Sequence, residues 1–409
     1  MIPKSGLVIA SLLVLPLISV ADLAPVTPVP ADVARVLKLP ADFQIKVFAK
    51  IKPAGSDFFR GARSLAFDAE GHLYLSTGRD NQVLMLPDRN KDGLADEIIT
   101  VADKLNAPQG LAFVGDKLLV ANQDGVVVLE KNAQKPNSQP RPAGKISPLI
   151  SGLATGGHTL KAMKIGPDGF LYLNVGSSCN VCVESDPLRA TILRYSVQGQ
   201  PAGALTTLGR HAASPIWASG LRNSEGMAWQ PQTGALYATN HGADMRSGVK
   251  NGAADDDLPP EHLNKIEAGK NYGWPHCWGN QFTDPNFPGA EGFCATTQPP
   301  AITFDAHAAP IGITFLNQSN FPPEYRNDAI VALHGSWNRT QPSGYKLVRV
   351  KFKQGKPVEV VDFATGWLSK EGAWGRPVDV VVGPDGALYL SDDRAGLVYR
   401  ISYHKKAAQ

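Results

Sequence analysis

The segment Val380-Val-Val-Gly-Pro-Asp-Gly-Ala-Leu-Tyr-Leu390 decides the fold, because the chain repeats it. Close copies are Leu65-Ala-Phe-Asp-Ala-Glu-Gly-His-Leu-Tyr-Leu75 and Met163-Lys-Ile-Gly-Pro-Asp-Gly-Phe-Leu-Tyr-Leu173. Each copy consists of an apolar stretch, a turn and a second apolar stretch. Pro presets one turn dihedral and Gly tolerates positive φ, so Pro-Asp-Gly favours a tight turn. The flanking Val, Leu and Tyr residues favour strands, and the segment therefore predicts a repeated β-hairpin.

Three weaker copies extend the repeat to six. One begins at Met227, another at Leu111, and the last joins Ile313-Thr-Phe315 to Ala329-Ile-Val-Ala-Leu333 across an insertion. A single hairpin cannot bury its faces, whereas radial copies stack on one another and close into a ring. We therefore predict an all-β, six-bladed β-propeller with long inter-blade loops over residues 41–403. A β-sandwich, or a ring of four or seven blades, is the alternative.

The N-terminus has the pattern of a secretory signal. Lys4 precedes an apolar run from Leu7 to Val20, and Ala21 follows as a small residue at a cleavage position. We predict a signal peptide at 1–21, a Pro-rich lead-in at 22–40 and a basic tail at 404–409. The alternative is a membrane anchor, but the run is short for a span of about 20 residues. The protein is thus expected to be exported, periplasmic or secreted, without stable membrane insertion after cleavage.

Charge and composition exclude some partners. The formal net charge is +3 over 409 residues and no Lys/Arg-rich run occurs, which argues against nucleic acid. The 40 glycines and 32 prolines indicate a chain rich in turns. Residues 246–310 are interpreted as a long insertion, and a long loop in a compact fold is usually functional. We expect it to form a wall of the binding site.

The four cysteines suit an exported protein. Cys179 and Cys182 form a C-x-x-C pair, and Cys277 and Cys294 lie in the insertion. Two local disulfides are the simplest pairing, although the sequence leaves the other connectivities open. Val183 follows the pair where covalent haem attachment requires His, which excludes that cofactor at this position.

Conspicuous polar residues lie at the blade edges. His158 follows two glycines, and imidazole suits general-base chemistry because its ordinary pKa lies near 6.5. A structural loop histidine is the alternative. Arg222 and Asn223 offer a fork of donors and an amide. Other edge residues of this kind are Gln109, Asn338, Arg339, Arg376 and Arg394. Arginines gathered at one end of the ring would suit an anionic ligand with several carboxylates.

Several motifs resemble a known family. Gly220-Leu-Arg-Asn223 and Gly269-Lys-Asn-Tyr-Gly-Trp-Pro275 are the most specific, and they occur with His158 in the order seen in soluble pyrroloquinoline quinone (PQQ) dependent sugar dehydrogenases. His334-Gly-Ser-Trp-Asn-Arg339 is similar to the sorbosone dehydrogenase and pyranose dehydrogenase-like branch. The resemblance spans about residues 40 to 403.

The resemblance implies a PQQ-dependent dehydrogenase acting on a sugar or sugar aldehyde. His158 would accept the proton of the substrate hydroxyl while hydride passes to C5 of the quinone. Arg222 would stabilise the charge that develops on the quinone oxygen. The resemblance also implies an external electron acceptor, a cytochrome or a quinone. The implied cofactor-binding residues are Gln109, Arg222, Asn223, Asn338, Arg339, Arg376 and Arg394.

Two calcium sites are expected. The resemblance implies a Ca²⁺ ion beside PQQ, held by the backbone carbonyls of Gly242 and Ala243. Independently, residues 88–96 show the oxygen spacing of a Ca²⁺ loop, although Ile99 replaces the usual final Glu. A plain solvated turn is the alternative for this second segment. Its candidate ligands are Asp88, Asn90, Asp92 and Asp96.

One departure keeps other functions open. Glucose-oxidising members carry Asp directly before the catalytic His, where this chain has Gly157. A non-catalytic exported propeller that binds a glycan or a protein partner is therefore the main alternative. A calcium-dependent hydrolase such as a lactonase is a third hypothesis. Such a hydrolase would need several carboxylate or amide side chains around one axial metal.

Overall fold

The computed structural model describes residues 26–130, 145–204 and 213–405. Within these ranges, six four-stranded antiparallel sheets are present. The first strand of each sheet contacts the first strand of the next, and that of the sixth sheet contacts that of the first. The sheets therefore close into a ring around an axis. This confirms the prediction of an all-β, six-bladed propeller.

The first half of the chain forms a short helix, an outer strand and three blades in which consecutive strands pair. The helix is Val33–Val36 (α1) and the outer strand is Phe43–Lys50 (β1). Blade one comprises Leu65–Phe67 (β2), Leu73–Ser76 (β3), Val83–Leu86 (β4) and Ile99–Ala102 (β5). Blade two comprises Leu111–Val114 (β6), Lys117–Asn122 (β7), Gly125–Glu130 (β8) and Lys145–Ser151 (β9). Blade three comprises Met163–Ile165 (β10), Leu171–Val175 (β11), Thr191–Tyr195 (β12) and Ile216–Ser219 (β13).

The second half forms the other three blades and the elements inserted between their strands. Blade four comprises Met227–Trp229 (β14), Leu236–Asn240 (β15), Glu261–Ile266 (β16) and Ile302–Phe304 (β19). Between β16 and β19 lie Cys277–Trp278 (β17), Phe282–Thr283 (β18) and the helix Glu291–Cys294 (α2). Blade five comprises Pro310–Phe315 (β20), Ala329–Leu333 (β21), Lys346–Lys353 (β22) and Lys356–Ala364 (β23), with a 3-10 turn at Pro323–Tyr325. Blade six comprises Pro377–Val382 (β24), Leu388–Asp392 (β25), Leu397–Tyr403 (β26) and β1.

The last blade joins the two ends of the described chain. β1 pairs antiparallel with β26, with Phe43 opposite Tyr403 and Ile45 opposite Ile401. A strand from before the first blade thus completes the sixth. A propeller gains closure in this way, because its last sheet cannot separate from its first without breaking strand pairing.

The six repeats supply the first two strands of the six blades. The segment 246–310 was interpreted as a long insertion, but two strands of blade four, β16 and β19, lie within it. β16 was missed because the polar residues Glu261, His262 and Asn264 are buried in it. A strand with so many inward polar side chains lacks the alternation that predicts a half-buried strand.

The predicted features outside the blades divide into three groups. The pairing Cys179–Cys182 and Cys277–Cys294 is present, as the simplest connectivity predicted. The signal peptide at 1–21 lies outside the described residues, as do 22–25 of the lead-in and 406–409 of the tail. Among the residues that the structure describes, no helix has the length and apolar character needed to cross a membrane.

Hydroxyl groups at the end of the second strand connect each of several blades to the next. Ser76 donates to the carbonyl of Gln109 at 2.6 Å, and Ser391 donates to the carbonyl of Arg63 at 2.6 Å. The carboxylate of Asp379 adds a second connection between blades six and one, since it accepts from the backbone N–H of Leu65 at 2.9 Å. Buried backbone groups need such partners, and these bonds therefore help to hold the ring closed.

We expect Asp379→Ala to lower the free energy of unfolding by about 2 kcal/mol, because it leaves the buried N–H of Leu65 without an acceptor. Urea unfolding at pH 7 measures the change. The control is Asp116→Ala, in the exposed turn between β6 and β7, for which the change is expected to stay within about 0.5 kcal/mol. Equal stability of the two variants would contradict a role of Asp379 in ring closure.

Candidate active site

One end of the ring carries the candidate site. In each blade the start of the first strand and the end of the second lie at the same end, because the two strands are antiparallel. A cavity of about 310 Å³ opens there, within the size range of small-molecule sites. Five of the predicted site residues line it, namely His158, Arg222, Asn223, Gly242 and Asn338. The ring closure therefore brings together residues that lie up to 180 positions apart in the sequence.

His158 is held by a single serine. Its backbone N–H donates to the carbonyl of Ser177 at 2.9 Å, and its Nδ1 lies 2.8 Å from the Ser177 Oγ. The one hydroxyl proton of Ser177 is donated to the carbonyl of Cys179 at 2.7 Å. The Oγ can therefore only accept from Nδ1, so the proton of the neutral ring sits on Nδ1. This arrangement leaves the lone pair on Nε2, the nitrogen that a general base requires.

The surroundings keep this imidazole neutral. Burial, together with the positive charge of Arg222, lowers the pKa of His158 to about 3. Both effects disfavour the protonated ring. The side chain is thus unprotonated at neutral pH.

The backbone conformation explains why position 157 is a glycine. Its φ is +58°, and a Cβ at this position would approach the carbonyl oxygen of Ser177 to 2.4 Å. No side chain fits there without moving the Ser177 backbone, whose carbonyl accepts a hydrogen bond from the N–H of His158. The glycine found here, in place of the Asp of the glucose-oxidising members, is therefore required by the backbone conformation that positions His158.

Arg222 lies in the loop between β13 and β14, contacts the loop after β15, and is almost fully buried. Its Nη1 donates to the carbonyl of Gly242 at 2.8 Å, and its Nη2 donates to Asp244 at 2.7 Å. Its Nε and Nη2 also donate to Asn180, at 3.1 and 2.8 Å. Four of the five guanidinium N–H groups are thereby used, and one on Nη1 remains for a ligand.

Two carboxyl groups lie beside this arginine, and sequence reasoning missed both. Glu261 accepts from the N–H of Gly242 at 2.6 Å, and burial raises its pKa to about 8 despite that bond. Asp244 accepts from Asn338 at 2.9 Å as well as from Arg222. Carbonyl and carboxyl oxygens thus surround Gly242, which was predicted as a calcium ligand. Ala243 lies in a separate small pocket behind Arg222.

A second network lies along the axis. Gln109 accepts from the Nε of Arg63 at 3.0 Å, and Arg63 pairs with Glu225 at 3.2 Å. Glu225 also accepts from the amide of Asn223 at 2.9 Å. Arg63 and Glu225 line the cavity, whereas Gln109 lies behind them and holds Arg63. Sequence reasoning missed both charged residues.

The position of these residues relative to the sequence repeats could have identified them. Arg63, Gln109 and Glu225 each lie two positions before the first residue of a repeat, at Leu65, Leu111 and Met227. The six first strands surround the axis, so equivalent positions at their starts face one another. Alignment of the repeats extended by two residues toward their N-termini would have identified these three residues.

Asn338 has an unusual environment. Its amide nitrogen donates to Asp244 and lies 3.3 Å from the Nδ1 of His307. Its Oδ1 is buried without a hydrogen-bond partner. Buried amide oxygens rarely lack a donor, and this oxygen therefore lies where a ligand can supply one.

Three predicted cofactor ligands lie elsewhere. Arg339 is directed to Asp257, at 2.9 Å. Arg376 is fully buried, pairs with Asp393 at 2.8 Å and lies behind the ring of Phe58, which itself lines the cavity. Arg394 donates to the carbonyl of Ala373. The structure does not place these three guanidinium groups on the cavity wall, because the last blade buries two of them and a loop carboxylate pairs with the third.

The Asp88 segment forms a turn that uses its own oxygens. Asp88 accepts from the N–H groups of Asp92 and Gly93, and Asn90 accepts from Asp92 as well. Asp96 accepts from the N–H of Arg89. Among the described residues, the carboxylates of this segment do not form a cluster of three potential metal ligands. Calcium binding at Asp88, Asn90, Asp92 and Asp96 stays a prediction.

Comparison with known proteins identifies relatives. A family model described as TrAA12-like matches residues 56–404. An uncharacterized protein of Borreliella burgdorferi is 25% identical over 385 residues, which cover 91% of this chain and 93% of that protein. An aldose sugar dehydrogenase of Escherichia coli is 27% identical over 261 residues, covering 61% of each protein. A pyrroloquinoline quinone-dependent pyranose dehydrogenase of Coprinopsis cinerea is 26% identical over 306 residues, covering 62% of this chain and 40% of that protein.

The fold recurs in a solved structure of a similar protein. The calcium structure of the family AA12 enzyme of Trichoderma reesei matches with a TM-score of 0.74 at 19% identity, covering 90% of this chain and 97% of that one. This likeness shows a shared fold. The two sugar dehydrogenases named above are each matched over less than two thirds of their own length.

We expect ¹⁵N-detected NMR of the imidazole to show His158 as the neutral Nδ1–H tautomer from pH 8 down to about pH 5. The lowered pKa favours the unprotonated ring, so protonation is expected only below this range. In Ser177→Ala the Oγ acceptor is lost and only the backbone carbonyl of residue 177, 3.2 Å from Nδ1, still accepts from Nδ1–H, so part of the ring population is expected to move to the Nε2–H tautomer. His404, in the exposed tail, serves as an internal control. A His158 signal that titrates near pH 6.5 would contradict this description of the site.

Proposed function

The chain belongs to the TrAA12-like family, among the relatives of soluble PQQ-dependent sugar dehydrogenases, and on this basis we propose that it oxidises a sugar or sugar aldehyde with PQQ. The observation that carries the proposal is the pair formed by His158 and Arg222 on one cavity wall. His158 presents a free Nε2 lone pair, and Arg222 presents an unused N–H. Such a pair suits removal of a hydroxyl proton next to a developing negative charge.

The residues around the cavity fit the proposed cofactors. PQQ is an anionic ring with carboxylate and carbonyl oxygens, and the guanidinium groups of Arg63 and Arg222 offer donors to such groups. The unpartnered Oδ1 of Asn338 adds an acceptor for a ring N–H. The oxygens of Gly242, Asp244 and Glu261 provide the hard ligands that Ca²⁺ prefers. A cation there would also compensate the buried carboxyl of Glu261.

The mechanism follows from what these residues can do. Bound PQQ with calcium supplies a hydride acceptor at its C5 carbonyl. His158 would accept the substrate hydroxyl proton at Nε2, while Ser177 keeps the ring in the required tautomer. Arg222 would stabilise negative charge, because its remaining N–H is held in direction by Gly242 and Asp244. Phe58, Leu160 and Ile311 contribute apolar wall that limits water in the cavity.

One observation favours a non-catalytic binding function instead. The axial arginines are already paired within the protein, Arg63 with Glu225 and Asp393, and Arg222 with Asp244. Paired guanidinium groups bind an anionic ligand less strongly than free ones, since part of their charge is compensated. A propeller that binds a glycan or a protein partner would need no uncompensated charge at the axis.

A hydrolase receives less support. Glu225, Asp244 and Glu261 line the cavity, as the lactonase hypothesis requires. In the parts of the chain that the structure describes, however, these carboxyl groups are not gathered closely enough to form a three-ligand metal cluster. Arg222 and Gly242 lie between them, which suits a charged organic ligand better than one axial metal.

The cellular setting follows from the same proposal. Two disulfides support export to the periplasm or the medium, where such bonds persist. The electrons would then pass to an external acceptor, a cytochrome or a quinone. A sugar or sugar aldehyde is the proposed small-molecule partner, and the balanced charge of the chain gives no reason to add nucleic acid.

We expect the protein to bind PQQ in the presence of Ca²⁺, measured by absorbance titration, and to reduce a dye with sugars or sugar aldehydes. His158→Ala is expected to keep PQQ affinity within about threefold and to lower kcat by roughly 100-fold or more, because a general base contributes that much. His404→Ala is the matched control and is expected to retain full turnover. Undetectable PQQ binding would overturn the proposal, and full turnover of His158→Ala would overturn the role of His158.

We expect calcium removal to weaken PQQ binding by about tenfold or more, about 1.4 kcal/mol, because the oxygens around Gly242 then lack the cation that joins them to an anionic ligand. Titration before and after treatment with EGTA measures this, and added Ca²⁺ is expected to restore the affinity. Addition of Mg²⁺ instead is the control, since it demands stricter octahedral geometry. Unchanged PQQ affinity without calcium would contradict a shared site.

A further inference from the structure

The loop closed by Cys179–Cys182 reaches into the candidate site through Asn180. The Oδ1 of Asn180 accepts from the Nη2 of Arg222 at 2.8 Å and from the N–H of Asp244 at 2.7 Å. Its carbonyl accepts from the Nε of Arg222 at 3.1 Å, and its Nδ2 donates to the carbonyl of Asp244 at 2.9 Å. One residue between the two cysteines thus orients both the guanidinium and its carboxylate partner.

The same loop also controls His158. The carbonyl of Cys179 accepts the hydroxyl proton of Ser177 at 2.7 Å. That bond forces the Ser177 Oγ to accept from Nδ1 of His158, at 2.8 Å. In addition, the N–H of Ser177 donates to the carbonyl of Arg222 at 2.8 Å. The orientation of His158 and that of Arg222 therefore depend on one four-residue segment.

The disulfide is the covalent restraint on this segment, in addition to the hydrogen bonds of Asn180 with Arg222, Asp244 and Trp274. Residues 178–184 contain no helix or strand, so the loop has no ladder of backbone bonds to hold it. Its other connections are side-chain contacts, among them the bond from Ser178 Oγ to Glu184 at 2.8 Å. Cys179 and Cys182 are partly exposed, whereas Cys277 and Cys294 are buried. A small dithiol can therefore reach the first disulfide more readily than the second.

We propose that the Cys179–Cys182 loop is a thiol-sensitive positioning element, in which Asn180 and the Cys179 carbonyl hold Arg222 and His158 in their working orientation. The statement about turnover rests on the proposed function, while the statement about positioning does not. In the reaction, a dithiol breaks the Cys179–Cys182 bond and becomes a cyclic disulfide. Two electrons and two protons pass to the protein, which then carries two thiols. The freed loop lets Asn180 leave Arg222, and turnover falls until the disulfide forms again.

The first experiment compares turnover of protein that has or has not been treated with dithiothreitol, where the dithiol is removed before PQQ, calcium and the dye are added and thiol labelling establishes which disulfide is reduced. We expect kcat to fall roughly 10- to 100-fold in the reduced protein, as small displacements of positioned groups produce. KM is expected to change less than threefold, and reoxidation is expected to restore kcat. The variant C179S/C182S is expected to be slow in both conditions. The variant C277S/C294S is expected to keep the dithiol response.

The second experiment needs no cofactor. Hydrogen exchange of the Asp244 amide is measured in the oxidised and reduced protein and in Asn180→Ala, since this amide donates to the Asn180 side chain. We expect at least tenfold faster exchange in the reduced protein and in Asn180→Ala. Amides of blade one, far from the loop in sequence, are expected to stay unchanged and so exclude general unfolding.

The outcomes separate the two proposals. Faster Asp244 exchange on reduction, in a protein that shows no PQQ-dependent turnover in either state, would remove the proposed function and leave the positioning role standing. Equal turnover of the oxidised protein and of protein shown by labelling to be reduced at Cys179 and Cys182 would overturn the inference and leave the function standing. A dithiol response that persists in C179S/C182S would overturn it too.

Discussion

The structure depends on one buried carboxylate at the point where the ring closes. Asp393 accepts from Arg63 of blade one at 3.0 Å, from Arg376 of blade six at 2.8 Å and from His334 of blade five at 3.0 Å. Burial alone would raise the pKa of Asp393, but Arg376 and His334 together hold it below its usual range. Removal of one partner from such a buried group costs several kcal/mol, because the others remain desolvated. Closure and the axial charge pattern are therefore coupled.

This coupling explains which arginines reach the cavity. Asp393 holds Arg376 behind the ring of Phe58, and it holds Arg63 where its Nη2 can pair with Glu225. These two guanidinium groups, of which only Arg376 was predicted as a cofactor ligand, thus have different positions. One supports the wall from behind, and the other forms part of its surface. Of the two guanidinium groups on the cavity wall, Arg222 has the carboxylate partner that is more exposed to solvent.

The repeat predicted the fold well because each copy carries its own strand and turn preferences. The position of a side chain on the cavity wall was predictable only where the residue has a distinctive neighbour sequence, as at His158 and Arg222. Glu261 could not be found, since a carboxyl group buried in a central strand is disfavoured unless the fold supplies donors, here the N–H groups of Gly242 and Ala309. Arg376 and Arg394 showed the opposite difficulty. Residue type indicates a possible ligand, but the depth at which the last blade buries a side chain depends on closure of the ring.

The partner of His158 has a chemical consequence. A carboxylate behind an imidazole both fixes its tautomer and stabilises its protonated form. Ser177 fixes the tautomer alone, because a hydroxyl carries no charge, and the pKa of His158 accordingly stays far below its usual value through burial and Arg222. In the proposed reaction His158 would be an unprotonated but weak base, so a proton accepted at Nε2 would have to be passed on quickly or be balanced by charge elsewhere in the cavity. Glu225 and Asp244 are the carboxylates on the same wall that can supply that balance. Under the two proposals, proton transfer would therefore depend in part on the network around Arg222, which the Cys179–Cys182 loop would orient.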